Sequence, residues 1–94
     1  MSDDKRLQKR RRTLKDGRVL LPGSRVTYDC AIRDVSETGA KIRLPSDSII
    51  LPAEFELVFV ADSLAYPAIR KWRRGSEYGV ALTGQPRKVT VRFE

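Results

Sequence analysis

The chain has 94 residues, 40% of them hydrophobic and 33% charged, and its 19 Lys and Arg outnumber its 12 Asp and Glu. This length is enough for one domain and too short for two, and the composition is typical of a globular protein with a charged surface. The sequence has no histidine and one cysteine, which excludes the commonest general base, an internal disulfide and the usual zinc ligand sets. We therefore expect a binding protein and not an enzyme, with no catalytic residue, no metal site and no cofactor.

The N-terminal residues 1–6 carry charges with no apolar stretch behind them, which argues against a secretory signal. The apolar run at residues 57–61 is far too short to span a membrane. A single cysteine also suits a reducing compartment. The sequence therefore predicts a cytoplasmic protein.

Positive charge is concentrated near the N-terminus, where residues 1–18 hold eight Lys and Arg against three Asp. A polyanionic partner would meet this segment first. Because residues 1–17 lack a hydrophobic stripe, we expect them to form a flexible basic arm. Residues 18–94 are expected to form the folded domain.

Hydrophobic residues alternate with polar ones from residue 25 onward, which is the pattern of half-buried β-strands. Many short strands joined by short turns, with no helical periodicity after residue 24, are typical of an antiparallel barrel or sandwich. On these patterns, Cys30 is expected to be a buried, inert thiol. Trp72 is expected to pack beneath the barrel, with stacking on a ligand as the less favoured alternative. The predicted strands cover residues 25–33, 40–44, 54–59, 68–72, 78–82 and 88–93.

Two segments are candidates for a binding site, and each has a simpler explanation by itself. The basic run at residues 9–15 would serve equally as a solvated tail that attracts nucleic acid without specificity. Asp34, Ser36 and Gly39 suit an ordinary hairpin turn, because Asp and Ser hydrogen-bond to nearby backbone and Gly accepts a positive φ.

Together, the two segments resemble the signature of the PilZ family, the cyclic di-GMP receptor domain of bacteria. That family carries Arg-x-x-x-Arg in an N-terminal segment and (Asp/Asn)-x-Ser-x-x-Gly in a β-barrel, and Asp34, Ser36 and Gly39 match every specified position of the second motif. Residues 77–82, Glu-Tyr-Gly-Val-Ala-Leu, are similar to the closing strand of the family. The resemblance extends over about residues 9–83. It implies a small all-β fold, an antiparallel, six-stranded, split β-barrel.

The first motif departs from the family pattern. Its best counterpart is Arg11-x-x-x-Lys15, whereas Arg6-x-x-x-Arg10 satisfies the pattern but lies further from the barrel. The difference matters because the planar arginine fork meets both acceptors on the Hoogsteen edge of guanine and stacks on the face of the base as lysine cannot, whereas Lys15 would neutralise a phosphate as a point charge. We therefore expect weaker binding than a full motif gives, or a changed ligand stoichiometry.

The resemblance implies a role for each residue of the ligand site. Arg11 would contact a guanine edge, and Arg10 or Lys15 would contact a phosphate. Asp34 would accept hydrogen bonds from guanine N1 and N2, and Ser36 would offer its hydroxyl to the base or a phosphate. The implied ligand-binding residues are Arg10, Arg11, Lys15, Asp34, Ser36 and Gly39, and spacing adds Arg12, Arg33 and Arg43 as further candidates for charge or stacking.

In this interpretation the basic arm becomes ordered over cyclic di-GMP and the new surface signals to a separate partner protein. Two alternatives stay open. The first is a PilZ-like protein-interaction module that binds no nucleotide, which the lysine at position 15 favours and the intact turn at residues 34–39 disfavours. The second is a small basic β-barrel that binds nucleic acid. It is disfavoured because most aromatic residues lie on the apolar phase of their strands, where stacking on bases is prevented: Tyr28, Phe55, Phe59, Tyr78 and Phe93.

Overall fold

The computed structural model describes the backbone of residues 11–90 and the side chains of residues 14–90. Val60–Asp62 form a 3-10 turn between the fourth and fifth strands. Within residues 11–90, no helix has the length and apolar character that a membrane span requires. The strands are β1 (Arg11–Leu20), β2 (Thr27–Val35), β3 (Gly39–Arg43), β4 (Glu54–Phe59), β5 (Leu64–Arg74), β6 (Glu77–Leu82) and β7 (Arg87–Lys88).

The strands form a closed antiparallel barrel. Their order is β4-β1-β2-β3-β6-β5, and β4 also pairs with β5, so the six strands complete a ring. The short β7 pairs with β5 outside this ring. The predicted all-β fold with a six-stranded antiparallel barrel is confirmed. Closure pairs the backbone edges that a small open sheet would expose.

The inward-facing side chains of the ring form one hydrophobic core. Val19, Ile32, Ile42 and Leu57 come from four different strands, and each is fully buried. The Cys30 side chain is also buried, and burial, with a smaller effect of the Asp29 carboxylate, raises the pKa of its thiol to about 12. A thiol with this pKa stays protonated at neutral pH, as expected for an inert core cysteine.

The Tyr78 side chain fastens the loop between β3 and β4 to the core. Its hydroxyl donates to the Ile49 carbonyl at 3.0 Å and accepts from the Leu51 amide at 3.2 Å.

Tyr78→Phe would keep the ring but leave both backbone groups without this partner. We expect the free energy of unfolding to fall by about 1–3 kcal/mol, measured by urea denaturation. Tyr66→Phe is the matched control, because the Tyr66 ring packs against Phe59 and its hydroxyl makes no hydrogen bond within the described residues. An equal loss in both variants would contradict the role of the Tyr78 hydroxyl.

The barrel begins earlier in the chain than the sequence predicts. The expected boundary between residues 17 and 18 falls inside β1, which starts at Arg11 and pairs with β2 from Leu14 to Leu20. Gly17 packs so closely on the core that an added Cβ would lie 2.6 Å from the Ile32 side chain. Residues 1–10 of the predicted arm lie outside the described residues.

Two further expectations differ from the structure at strand ends. Val26, expected on a buried strand face, is 47% exposed because β2 starts at Thr27, two residues after the start of the predicted strand. Of the last predicted strand, residues 88–93, Lys88 belongs to β7, residues 89 and 90 belong to no strand, and residues 91–93 lie outside the described residues. Phe93 lies outside the described residues.

Candidate functional site

The turn between β2 and β3 is held by two hydrogen bonds to the same carbonyl. The Ser36 amide donates to the Gly39 carbonyl oxygen at 2.8 Å, and the Ser36 hydroxyl donates to it at 3.3 Å. Just before the turn, Asp34 adopts a φ of 50°, a left-handed conformation that Asp tolerates better than most side chains. The spacing of Asp34, Ser36 and Gly39 is thus what this tight corner needs.

Gly39 is required by the packing of the barrel. A Cβ at this position would lie 2.6 Å from the Val80 carbonyl oxygen on β6. A backbone atom cannot move aside as the end of a flexible side chain can. Gly39 therefore allows the backbones of β3 and β6 to approach each other closely beside the turn.

A small open cavity of about 190 Å³ lies beside this turn. The three specified residues of the predicted motif line it, so the structure brings this half of the predicted site together. Three residues that the sequence did not single out for the site complete its chemistry. The lining side chains that can contact a ligand are those of Asp34, Ser36, Lys41, Lys71 and Trp72, and Gly39 contributes backbone.

Trp72 reaches this cavity through a β-bulge. The sequence places Trp72 on the same side of its strand as Ala68 and Arg70, packed beneath the barrel, and this prediction is wrong. Arg70 stands opposite Val80 and Trp72 opposite Gly79, so two residues of β5 advance against one residue of β6. The extra residue turns Trp72 to the outer face, where its side chain is 45% exposed. Bulges commonly re-aim side chains at functional sites.

The Trp72 ring rests directly against Gly79. A Cβ added to Gly79 would lie 2.1 Å from Nε1 and 2.3 Å from Cε2 of the indole. Only a glycine leaves space for the ring at this point. An exposed indole held against a rigid strand is a surface on which a planar base can stack.

The outer face of the barrel carries one row of side chains across five strands. Leu14 stands opposite Arg33, Arg33 opposite Lys41, Lys41 opposite Gly79, and Gly79 opposite Trp72. Directly opposed residues of antiparallel strands point to the same side, so two cations lie between Trp72 and Leu14, which is 75% exposed. This row gives the cavity a basic, partly apolar surround.

The charges around the cavity are partly paired. Lys41 Nζ lies 3.4 Å from Asp34 Oδ2, and both side chains are more than half covered. Arg33 and Arg43, predicted as additional ligand contacts, each lie 3.7 Å from Glu77 Oε2. They share the outer face with the cavity but do not line it.

The N-terminal half of the predicted site is described only in part. Lys15 is exposed, stands opposite Ile32 and does not line the cavity. Arg11 and Arg12 belong to β1, but their side chains lie outside the described residues. Arg10 also lies outside the described residues.

A second, larger cavity of about 610 Å³ opens at the other end of β1. Apolar groups such as Leu21, Phe55 and Pro67 form much of its wall. Two charged groups at its edge neutralise each other, since Arg87 donates two hydrogen bonds to the Glu56 carboxylate at 2.7 and 2.8 Å. The smaller cavity is therefore the better candidate, because its polar groups converge on one space. Within the described chain, no group of three or more His, Cys, Asp or Glu could hold a metal ion.

Comparison with known proteins agrees with the geometry. A family model described as "PilZ domain" matches residues 4–93, nearly the whole chain. No curated protein matches the chain.

Proposed function

Because this chain belongs to the PilZ domain family, a family of cyclic di-GMP-binding domains, we propose that it is a cyclic di-GMP receptor that holds one guanine of the ligand in the cavity beside Asp34. The observation that carries the proposal is the meeting of a carboxylate, a hydroxyl and an exposed indole around one cavity. These groups are complementary to the hydrogen-bond donors and the planar face of a guanine base.

Each group has a distinct task in the proposed complex. The Asp34 carboxylate accepts from the N1 and N2 donors of guanine, which lie side by side on the base edge. The Trp72 indole stacks on the base, an interaction worth about 1–3 kcal/mol in nucleic-acid complexes. The Ser36 hydroxyl already donates to Gly39, and its oxygen can still accept from the ligand.

The cavity holds only part of the ligand. Its volume of about 190 Å³ is below the range of about 300–1,000 Å³ that is usual for small-molecule sites. The rest of the dinucleotide then lies over the outer face, where the N-terminal segment reaches it. We assign Arg10 and Arg11 to this second half, with Arg12 as a further candidate. Lys15 is exposed but stands opposite the inward-facing Ile32, so we assign it to a phosphate at the edge of that face.

Signalling follows from the assembly of these two halves. The basic segment that precedes β1 becomes ordered over the ligand, and the surface formed by segment, ligand and barrel is offered to a separate protein. Ordering costs entropy, so affinity is modest and falls as salt rises. Because cyclic di-GMP is a bacterial second messenger, the proposal includes a bacterial source and a cytoplasmic location for this protein.

The two alternative functions would need other exposed groups than the ones the structure shows. A nucleic-acid binder needs several exposed aromatic rings, whereas Phe55, Phe59 and Tyr78 are buried in the core and Trp72 is the large exposed ring of the described chain. A protein-interaction module without a ligand could use the exposed indole as an anchor, but it would not need a carboxylate and a hydroxyl around the same cavity. Both features favour the nucleotide receptor.

The test is a titration with cyclic di-GMP that follows tryptophan fluorescence and heat in parallel. Trp72 is the only tryptophan of the chain, so quenching reports directly on the cavity. We expect saturable quenching by cyclic di-GMP, and little response to cyclic di-AMP, whose adenine lacks the N2 donors. If cyclic di-GMP in large excess produced neither heat nor quenching, the receptor proposal would be refuted. A stronger response to single-stranded DNA at physiological salt would favour the nucleic-acid alternative.

A further inference from the structure

The bulge in β5 does more than turn Trp72 outward. In a regular strand, neighbouring residues point to opposite faces, so a ring and the residue before it would not share a site. Here Lys71 is the extra residue of the bulge, and both Lys71 and Trp72 line the cavity. The irregularity therefore brings an exposed ammonium group next to the stacking surface.

Lys41 approaches the same cavity from β3. It is paired with Asp34 at 3.4 Å, so in the free protein it faces the carboxylate that the proposed function assigns to guanine. When guanine N–H groups bind that carboxylate, its negative charge stays beside Lys41, and the ammonium group still has further N–H donors for a second acceptor. The ligand offers such an acceptor in its phosphodiester linkage, and Lys41 lines the cavity in which the proposed function places the nucleoside.

We infer that Lys41 and Lys71 form a phosphate subsite on the barrel itself, which binds the anionic linkage of the ligand independently of the N-terminal segment. This inference rests on the proposed function and extends it. The charged groups that line the cavity are one carboxylate and two ammonium groups, and the ligand brings two base-edge donors and a phosphodiester for them.

The subsite gives a physical meaning to the lysine at position 15. The family pattern has a second arginine there, and Lys15 does not line the cavity. With two cations fixed on strands, part of the phosphate binding moves from the segment to the rigid barrel. Less of the binding energy is then lost in ordering the chain.

The experiment compares Lys41→Gln, Lys71→Gln and the control Lys88→Gln in the full-length protein. Lys88 is exposed on β7, outside the ring of the barrel, and does not line the cavity. Cyclic di-GMP and guanosine, which has the base but no phosphate, are titrated while Trp72 fluorescence is followed. We expect each cavity variant to bind cyclic di-GMP about tenfold more weakly, with a smaller salt dependence than the wild type. Guanosine binding and Lys88→Gln should be unchanged.

The outcomes separate the two hypotheses. If the wild type does not bind cyclic di-GMP, the proposed function fails and the phosphate subsite fails with it. If the wild type binds and Lys71→Gln binds equally well, only the subsite is refuted. An equal loss for guanosine would show that the lysines shape the base cavity and would also refute it. Tighter binding by Lys41→Gln would show that Lys41 competes with guanine for Asp34, and would remove Lys41 from the subsite.

Discussion

Asp34→Ala is expected to bind cyclic di-GMP at least roughly a hundredfold more weakly than the wild type. The carboxylate offers two acceptors to the N1 and N2 donors of guanine, and hydrogen bonds to a charged group are worth about 1.5–3 kcal/mol each, so losing both removes about 3 kcal/mol or more. The measurement is isothermal titration at fixed salt. Binding equal to the wild type would show that guanine is not recognised at Asp34.

The backbone at Asp34 requires a second variant. Its φ of 50° is more costly for alanine than for aspartate, so Asp34→Ala is expected to lower the melting temperature as well as affinity. Asp34→Asn keeps a side chain that tolerates this conformation and one acceptor oxygen. We expect this variant to fold like the wild type and to retain weakened binding, as the Asp/Asn alternative in the family motif implies.

Asp29→Ala is the matched control on the same strand. Asp29 Oδ1 lies 3.3 Å from Arg18 Nε, and the Asp29 carboxylate is largely exposed. Asp29 does not line the cavity. It removes the same charge from β2 without touching the site. If Asp29→Ala weakened cyclic di-GMP binding as much as Asp34→Ala, the effect would come from net charge rather than from recognition.

The sequence predicted the fold where strands alternate cleanly and missed it where they do not. The predicted strand at residues 54–59 has the bounds of β4, and those at 40–44 and 78–82 lie within a residue of β3 and β6. In β1, by contrast, the buried positions among residues 14–20 are Gly17 and Val19. Since a glycine carries no hydrophobic side chain, the core face of β1 leaves almost no periodic signal, and pairing with β2 and β4 defines the strand instead.

The candidate site divides in the same way. Asp34, Ser36 and Gly39 could be predicted because a tight turn and a base-binding corner need the same residue types at the same spacing. Lys41 could have been found as well, since it stands opposite Arg33 in the hairpin that the turn defines. Lys71 and Trp72 could not, because a bulge shifts the strand phase and no local residue pattern marks this one. The exposure of Trp72 is thus decided by the register between β5 and β6 and not by the residues next to it in the sequence.

Gly79→Ala is expected to weaken cyclic di-GMP binding about as much as Trp72→Ala, although it adds only one methyl group. The new Cβ would lie 2.1 Å from the indole Nε1, so the ring must leave its place beside the cavity. Because the obstructing atoms belong to an exposed side chain and not to backbone, the ring can rotate into solvent and the barrel stays folded. The lost stacking is worth about 1–3 kcal/mol, or roughly 5- to 150-fold in the dissociation constant.

Combining the two substitutions tests whether Gly79 acts through the ring. In the Trp72→Ala background there is no indole for the Gly79→Ala methyl group to displace, so the double variant should bind like Trp72→Ala alone, a strongly non-additive result. The single variant Gly79→Ala should also show red-shifted tryptophan emission without ligand, as the ring becomes more exposed, and a melting temperature close to that of the wild type. If the losses from the two substitutions simply added, Gly79 would contribute to binding by another route. Wild-type affinity in Gly79→Ala, with the emission shifted, would mean that the indole at this position does not stack on the ligand.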